Sequence, residues 1–218
     1  MMTKGPQDFE KLTDDVIEGV PCMLAMPAGT GKTHLLVTIA GKLVERGISV
    51  LVLTHTNAGI SAIRSRCLRM GINPVQLSVA TISSWAERAA LVYCGTSRHD
   101  LASDRWVQKD YYSQCVGEAL TLLGHEWFAN VIGVSYQAVL VDEYQDCSLV
   151  QHRLVKRLAA LIPRTICFGD PLQRIFDFAE EEFPDWDAVR ADFHVFEGVR
   201  PYPYRWTGRN MPLGEWLT

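Results

Sequence analysis

Short, continuously apolar runs alternate along the chain with longer segments in which apolar residues recur every three or four positions. The run from Cys22 to Met26 ends at a glycine-rich turn. Residues 33–46 then carry Leu35, Leu36, Ile39, Leu43 and Val44 at helical spacing, with Gly47 as a natural C-cap. "ISVLVLT" (48–54) is a β-branched run of the kind covered on both faces, and "AGISAIRSRCLRM" after it reads as a helix ending at Gly71. The alternation returns in "AVLVD" (138–142), in a helix from about Ser148 to Leu161 carrying Val150, Leu154 and Leu158, and in "TICFGD" (165–170). Such alternation predicts an α/β fold, a mostly parallel sheet flanked by helices.

Residues 95–137 break the pattern. "GTSRHDLASDRW" is polar and loop-like, whereas "WVQKDYYSQCVGEALTLLGHEWFANVI" is helical and aromatic, which predicts a small helical insertion on the sheet domain. After Phe178, "AEEEFPDWD" is an acidic, proline-broken connection whose glutamates read as a solvated face. The chain has no internal repeat and no low-complexity tract.

Composition narrows the class. With 218 residues, 48% hydrophobic content and a mean hydropathy of +0.02, the chain can bury one sizeable core. No apolar run approaches the roughly 20 residues needed to span a bilayer, and "MMTKGPQDFEKL" lacks the apolar centre of a signal peptide, so the expectation is a cytoplasmic protein with no membrane partner. A formal charge of -4 and a pI near 5.9 give no global basic field, so a nucleic acid would have to use a local groove. The six cysteines lie far apart with no C-x-x-C pair, which predicts free, mostly buried thiols.

Candidate chemistry gathers at three predicted strand ends. In "PAGTGKT" (27–33) the turn Ala28, Gly29, Thr30 and Gly31 lets backbone N–H groups converge on phosphate oxygens, Lys32 supplies charge, and the Thr33 hydroxyl reaches Mg²⁺. The longer phosphate-loop pattern has a glycine where Met26 stands, so the local match is G-x-G-K-T. "AVLVDEYQD" delivers Asp142 to hold Mg²⁺ and Glu143 to orient and deprotonate an attacking water. "CFGDPLQRIF" places Gly169, Asp170 and Gln173 where a polar side chain could sense the terminal phosphate.

Taken together with "LTHTNAGISAIRSR" (53–66), "VATISSW" (79–85) and "PYRW" (203–206), these stretches resemble, in order and spacing, the N-terminal motor domain of superfamily 1 DNA helicases of the UvrD/Rep/PcrA kind. The resemblance implies a RecA-like P-loop NTPase that uses ATP and Mg²⁺ and moves on single-stranded DNA. It implies that Lys32 and Thr33 bind phosphate and metal, Asp142 holds the metal, Glu143 is the general base and Gln173 senses the γ-phosphate. It further implies that Tyr204 stacks on adenine and that Arg205 reaches the γ-phosphate. For DNA it implies contacts from Thr54, Thr56 and Asn57 at a strand-end loop and an aromatic, Phe176, beside a base, a sequence-indifferent contact since every base has a π-face. Trp85 reads instead as packing; Arg64, Arg66 and Arg69 could face phosphates, with a solvated helix face as the preferred reading. The family reads adenine with a glutamine shortly before the loop, whereas this chain has Asp14 or Asp15 there.

The expected organisation is a RecA-like ATP-binding motor domain over residues 1–199 and the opening of a second motor domain over 200–218. In the family ATP lies between two such domains, so the implied partner is a second RecA-like domain or a protein that replaces it. The expected function is the N-terminal part of a UvrD-like helicase, with weak hydrolysis and no unwinding by this chain alone. The alternative is an ATP-responsive DNA- or protein-binding module without helicase activity. A relic kept for interaction alone would have no use for Lys32, Thr33, Asp142, Glu143 and Gln173 together.

Overall fold

A computed structural model describes residues 9–93, 111–173, 184–199, 202–207 and 209–213. Among these residues, β1 (Cys22–Ala25), β2 (Val50–Thr54), β3 (Leu77–Thr81), β4 (Ala138–Val141), β5 (Thr165–Gly169) and β6 (His194–Val195) form one sheet in the order β3-β2-β4-β5-β1-β6. Every pairing is parallel. The helices are α1 (Phe9–Glu18), α2 (Lys32–Glu45), α3 (Asn57–Arg69), α4 (Ile82–Tyr93), α5 (Tyr111–Leu122), α6 (Glu126–Ser135), α7 (Leu149–Leu161) and α8 (Trp186–Asp192).

Strand periodicity sorts the core into two layers. Cys22, Leu24, Val50, Val52, Leu140, Ile166 and Phe168 point to the face covered by α1, α2 and α3. Their neighbours Met23, Leu51, Leu53, Val139, Val141 and Cys167 point to the other face, under α4 to α8. Burial on both sides is why these strands are apolar throughout.

The described part of the predicted insertion belongs to that second layer. α5 packs against α4 and α7. Val116, Ala119 and Leu122 of α5, with Phe128 and Ile132 of α6, join the same core as the sheet. Its polar beginning lies outside the described residues.

Two strands carry no clear apolar run. β3 is the sheet's margin, with Leu77 and Thr81 half-buried and Ser78 exposed, and β6 is two residues long. Gly47 and Gly71 end α2 and α3 with φ of 76° and 68°, a left-handed turn that a β-carbon disfavours. Cys22, Cys67, Cys115, Cys147 and Cys167 are free and buried, and burial pushes the Cys22 thiol up to about 12; Cys94 lies outside the described residues. Among the described residues no helix is long and apolar enough to cross a membrane.

Leu140 lies fully buried in a central strand. Leu140→Ala should therefore lower stability by about 2–5 kcal/mol, read as a fall in the urea midpoint at unchanged slope.

Candidate functional site

β4, β5 and β1 lie side by side and parallel, so the loops leaving them emerge at one edge of the sheet. There they wall a cleft of about 650 Å³, lined by the 28–34 loop and the start of α2, by Glu143 and Gln173, and by Tyr204 and Arg205. Lys32 and Thr33 open α2 beneath it. That helix has no side chain capping its N-terminus and no acidic residue in its first turn, which leaves the N–H groups and the positive end of its dipole to an anion.

The loop's glycines are required by geometry. Gly29 and Gly31 have φ of 80° and 93°. A β-carbon on Gly29 would also lie 2.8 Å from the Arg205 Cβ, and the Arg205 N–H donates to the Gly29 carbonyl at 3.2 Å. Thr30 turns inward, its hydroxyl donating to the Pro27 carbonyl at 2.6 Å, so its part in the cradle is its backbone.

Lys32, 7% exposed, pairs with Glu143 at 2.6 Å. Burial alone would raise the Glu143 carboxyl. The Lys32 ammonium outweighs it, helped by the Gln145 amide at 2.9 Å and by His55, and holds the group below its usual value. Asp142 is the opposite case: burial and the adjacent Glu143 carboxylate push it up to about 6. Its Oδ1 accepts the Glu143 N–H at 3.1 Å, and Glu143 itself has φ of 51°, a strained conformation for a residue with a β-carbon. Such an outlier is a frequent mark of a working site.

Two side chains that the sequence reading did not single out hold this turn. Gln145 donates to Glu143 and accepts the Asp170 N–H at 2.9 Å, tying the end of β4 to the end of β5. The fully buried Tyr144 hydroxyl bonds His152 Nδ1 at 2.8 Å, and His152 Nε2 bonds Asp192 at 3.0 Å, which Lys156 also meets at 2.5 Å. Burial lowers the His152 pKa against the pull of Asp192, so the ring is neutral and takes the phenol proton as acceptor.

The expected residues are not all placed as the motifs imply. Lys32, Thr33, Glu143, Gln173, Tyr204 and Arg205 line one cleft, and Asp142, outside the lining, is bonded to the Glu143 N–H. Thr54 is only 2% exposed and packs under Gly59, so its side chain cannot meet a strand. Thr56 and Asn57 stand exposed at the start of α3, the Thr56 hydroxyl accepting the Gly59 N–H at 3.0 Å. Phe176 lies outside the described residues.

Trp85 is core, as expected. The arginines correct the reading of a merely solvated face: Arg64 donates to the Val79 carbonyl at 2.9 Å, and Arg66 reaches the cleft. Asp14 is taken up by Lys42 at 2.9 Å and Arg46 at 3.1 Å, away from the cleft lining.

A parallel sheet with a glycine-lysine turn after one strand and an adjacent acidic pair after another, meeting over a helix N-terminus, defines a P-loop NTPase fold. Residues 98–194 match the family model described as the UvrD/REP helicase N-terminal domain, in agreement with the resemblance drawn from the motifs. That stretch contains Asp142, Glu143 and Gln173; the loop at 27–33 precedes it and joins it in space. A search of curated proteins finds no match.

Among solved structures, the chain is similar to AMPPCP-bound DnaA from Aquifex aeolicus at 15% identity and a TM-score of 0.44, covering 100% of this chain and 52% of that one. It is also similar to the Pif1 helicase from Candida albicans at 16% identity and a TM-score of 0.41, covering 78% and 33%. The chain thus spans about half and a third of those two.

Asp142 binds its proton more tightly folded, about 6 against 3.8, so its contribution favours the fold at low pH and is lost as pH rises through about 6. Asp142→Asn should therefore stabilise the nucleotide-free protein by roughly 1–3 kcal/mol near pH 7.5. The gain should vanish near pH 4 in thermal melts across that range.

Proposed function

We propose that this chain binds and hydrolyses ATP as the N-terminal motor domain of a UvrD-like helicase, coupling hydrolysis to movement on single-stranded DNA when a second RecA-like domain completes the cleft. In this reading residues 1–199 form the motor domain and residues 200–218 begin the next. One observation carries it: side chains from three separate strand ends and from the C-terminal segment line a single cleft above the N-terminus of α2.

The 28–33 backbone and Lys32 would hold the phosphates. Thr33 and Asp142 would hold Mg²⁺, which when bound neutralises charge on the phosphate oxygens. The residues fit that ion: Asp142 is a buried carboxylate whose Oδ1 accepts one N–H and which, among the described residues, has no cation bonded to it.

Release of Lys32 to phosphate frees Glu143 to orient and deprotonate water, and Gln173 reads the terminal phosphate. Arg205, whose N–H bonds the Gly29 carbonyl, would meet developing charge, and its neighbour Tyr204 would stack on the base. Arg66, the last residue of the 53–66 stretch, would add a further cation. Thr56 and Asn57 would contact the strand, with Thr54 supporting them from beneath.

A second arginine from a completing domain is worth about 10³ to 10⁵ in rate in related phosphoryl transfer, so this chain alone should bind ATP well and turn it over slowly. Titration of labelled ATP–Mg²⁺ should show Lys32→Ala weakening binding about tenfold to a hundredfold, the range of a hydrogen bond to a charged group. Equal retention by both proteins would refute the assignment. Duplex unwinding by the purified chain without a partner would refute the need for a second domain.

A further inference from the structure

Glu143 opens a five-residue turn whose far end is Cys147. The Asp146 N–H donates to the Glu143 carbonyl at 3.0 Å and the Cys147 N–H to the Tyr144 carbonyl at 3.1 Å, so the two ends are mechanically joined. Tyr144 anchors the middle to α7 through His152. Against the far end rests His55, its Nε2 3.5 Å from the Cys147 Sγ. His55 and Glu143 also lie near enough for imidazole and carboxylate to favour each other's charged forms.

His55 is the first residue beyond β2, the sheet neighbour of β4. Leu53 lies opposite Val141, and the Asp142 N–H donates to the Leu53 carbonyl at 2.8 Å, so the last residues of both strands are fixed together. The next two residues are Thr56 and Asn57, exposed at the start of α3 and assigned above to a DNA strand. His55 therefore touches the base-bearing turn with its side chain and the strand-facing loop with its backbone.

Burial drives the His55 pKa down to about 4 and burial raises the Cys147 thiol, so near neutral pH both are uncharged hydrogen-bonding groups. While Lys32 pairs with Glu143, its ammonium and the Gln145 amide both hold the Oε2 oxygen, at 2.6 and 2.9 Å. Once phosphate takes Lys32, Gln145 and His55 are the neighbours left that favour the charged carboxylate, against the nearby Asp142 and Asp146 carboxylates. Gln145 answers to β5 through Asp170, and His55 answers to the strand loop.

We propose that His55 is a positioning residue that transmits occupancy of the Thr56–Asn57 loop by single-stranded DNA to the Glu143 carboxylate. The 143–147 turn then shifts between a Lys32-paired and a water-orienting arrangement. This regulation rests on the nucleotide and strand reading given above. It makes a distinct demand: the two ligands must be energetically coupled through one imidazole.

The test uses the 218-residue chain with labelled ATP–Mg²⁺ and an oligothymidylate, each titrated with and without the other, together with steady-state ATPase. In the wild type the oligonucleotide should change ATP affinity by a factor in the usual coupling range of about 5 to 150, with the same factor in the reciprocal titration. It should also raise kcat more than it changes KM. His55→Ala should bring the factor to near one while each ligand alone still binds, and His55→Gln, which keeps a hydrogen-bonding side chain, should restore part of it. Should His55→Ala not fold, His55→Gln against His55→Phe decides by the same ratio.

Full coupling in His55→Ala or His55→Phe overturns the inference. So does a wild type that binds ATP but shows no response to the oligonucleotide, and either result leaves the nucleotide site standing. Equal ATP binding by wild type and Lys32→Ala instead overturns the site assignment beneath it.

Discussion

The arrangement depends on three strands being forced to run the same way as neighbours. With β4, β5 and β1 adjacent and parallel, the chain must leave each at the same edge, and only there can groups separated by more than a hundred residues meet. Register tightens this. Ala25 pairs with Gly169, Val141 with Cys167, and the Met26 N–H extends the ladder to the Gly169 carbonyl at 2.8 Å. A slip of one residue would turn the buried alternation inside out, exchanging the two core layers.

On that platform the site holds unfavourable electrostatics in place. Asp142 is buried beside another carboxylate, Glu143 sits in a left-handed conformation, and the Lys32 ammonium offsets part of the charge on both carboxylates. The surrounding bonds from Gln145 and from the Tyr144–His152–Asp192 series keep the turn from relaxing away from the strand end. Rigid support around a strained centre is what a preorganised catalytic group needs.

Much of this was legible in the amino-acid order. The inner strands announced themselves because burial on both faces demands uninterrupted apolar residues, and Gly47 and Gly71 marked helix ends because only a left-handed turn leaves room there. β3 escaped notice because a marginal strand needs one apolar face at most, and its alternation of Ser78 with Val79 and Ala80 also suits a loop.

At the cleft, Lys32, Asp142, Glu143 and Gln173 were named by motif spacing. Arg66 was named but read as solvated, and Gln145 was not singled out, since the importance of both lies in the direction a long side chain leans, which neighbours decide. His152 had no signature, because a histidine on an amphipathic helix reads the same whether it packs or bonds. Thr54 was misread for the converse reason: a polar residue at a strand end looks available until Gly59 is seen lying against it.

The Arg64 bond to the Val79 carbonyl has a consequence for how the molecule behaves among its copies. A bare lateral strand offers a ladder that another polypeptide can continue, the seed of filamentous growth. Here a guanidinium occupies one of the acceptors on that lateral strand, and the opposite flank ends in a segment of two residues, too brief to template an incoming one. Both flanks of the sheet are thereby discouraged from recruiting strangers.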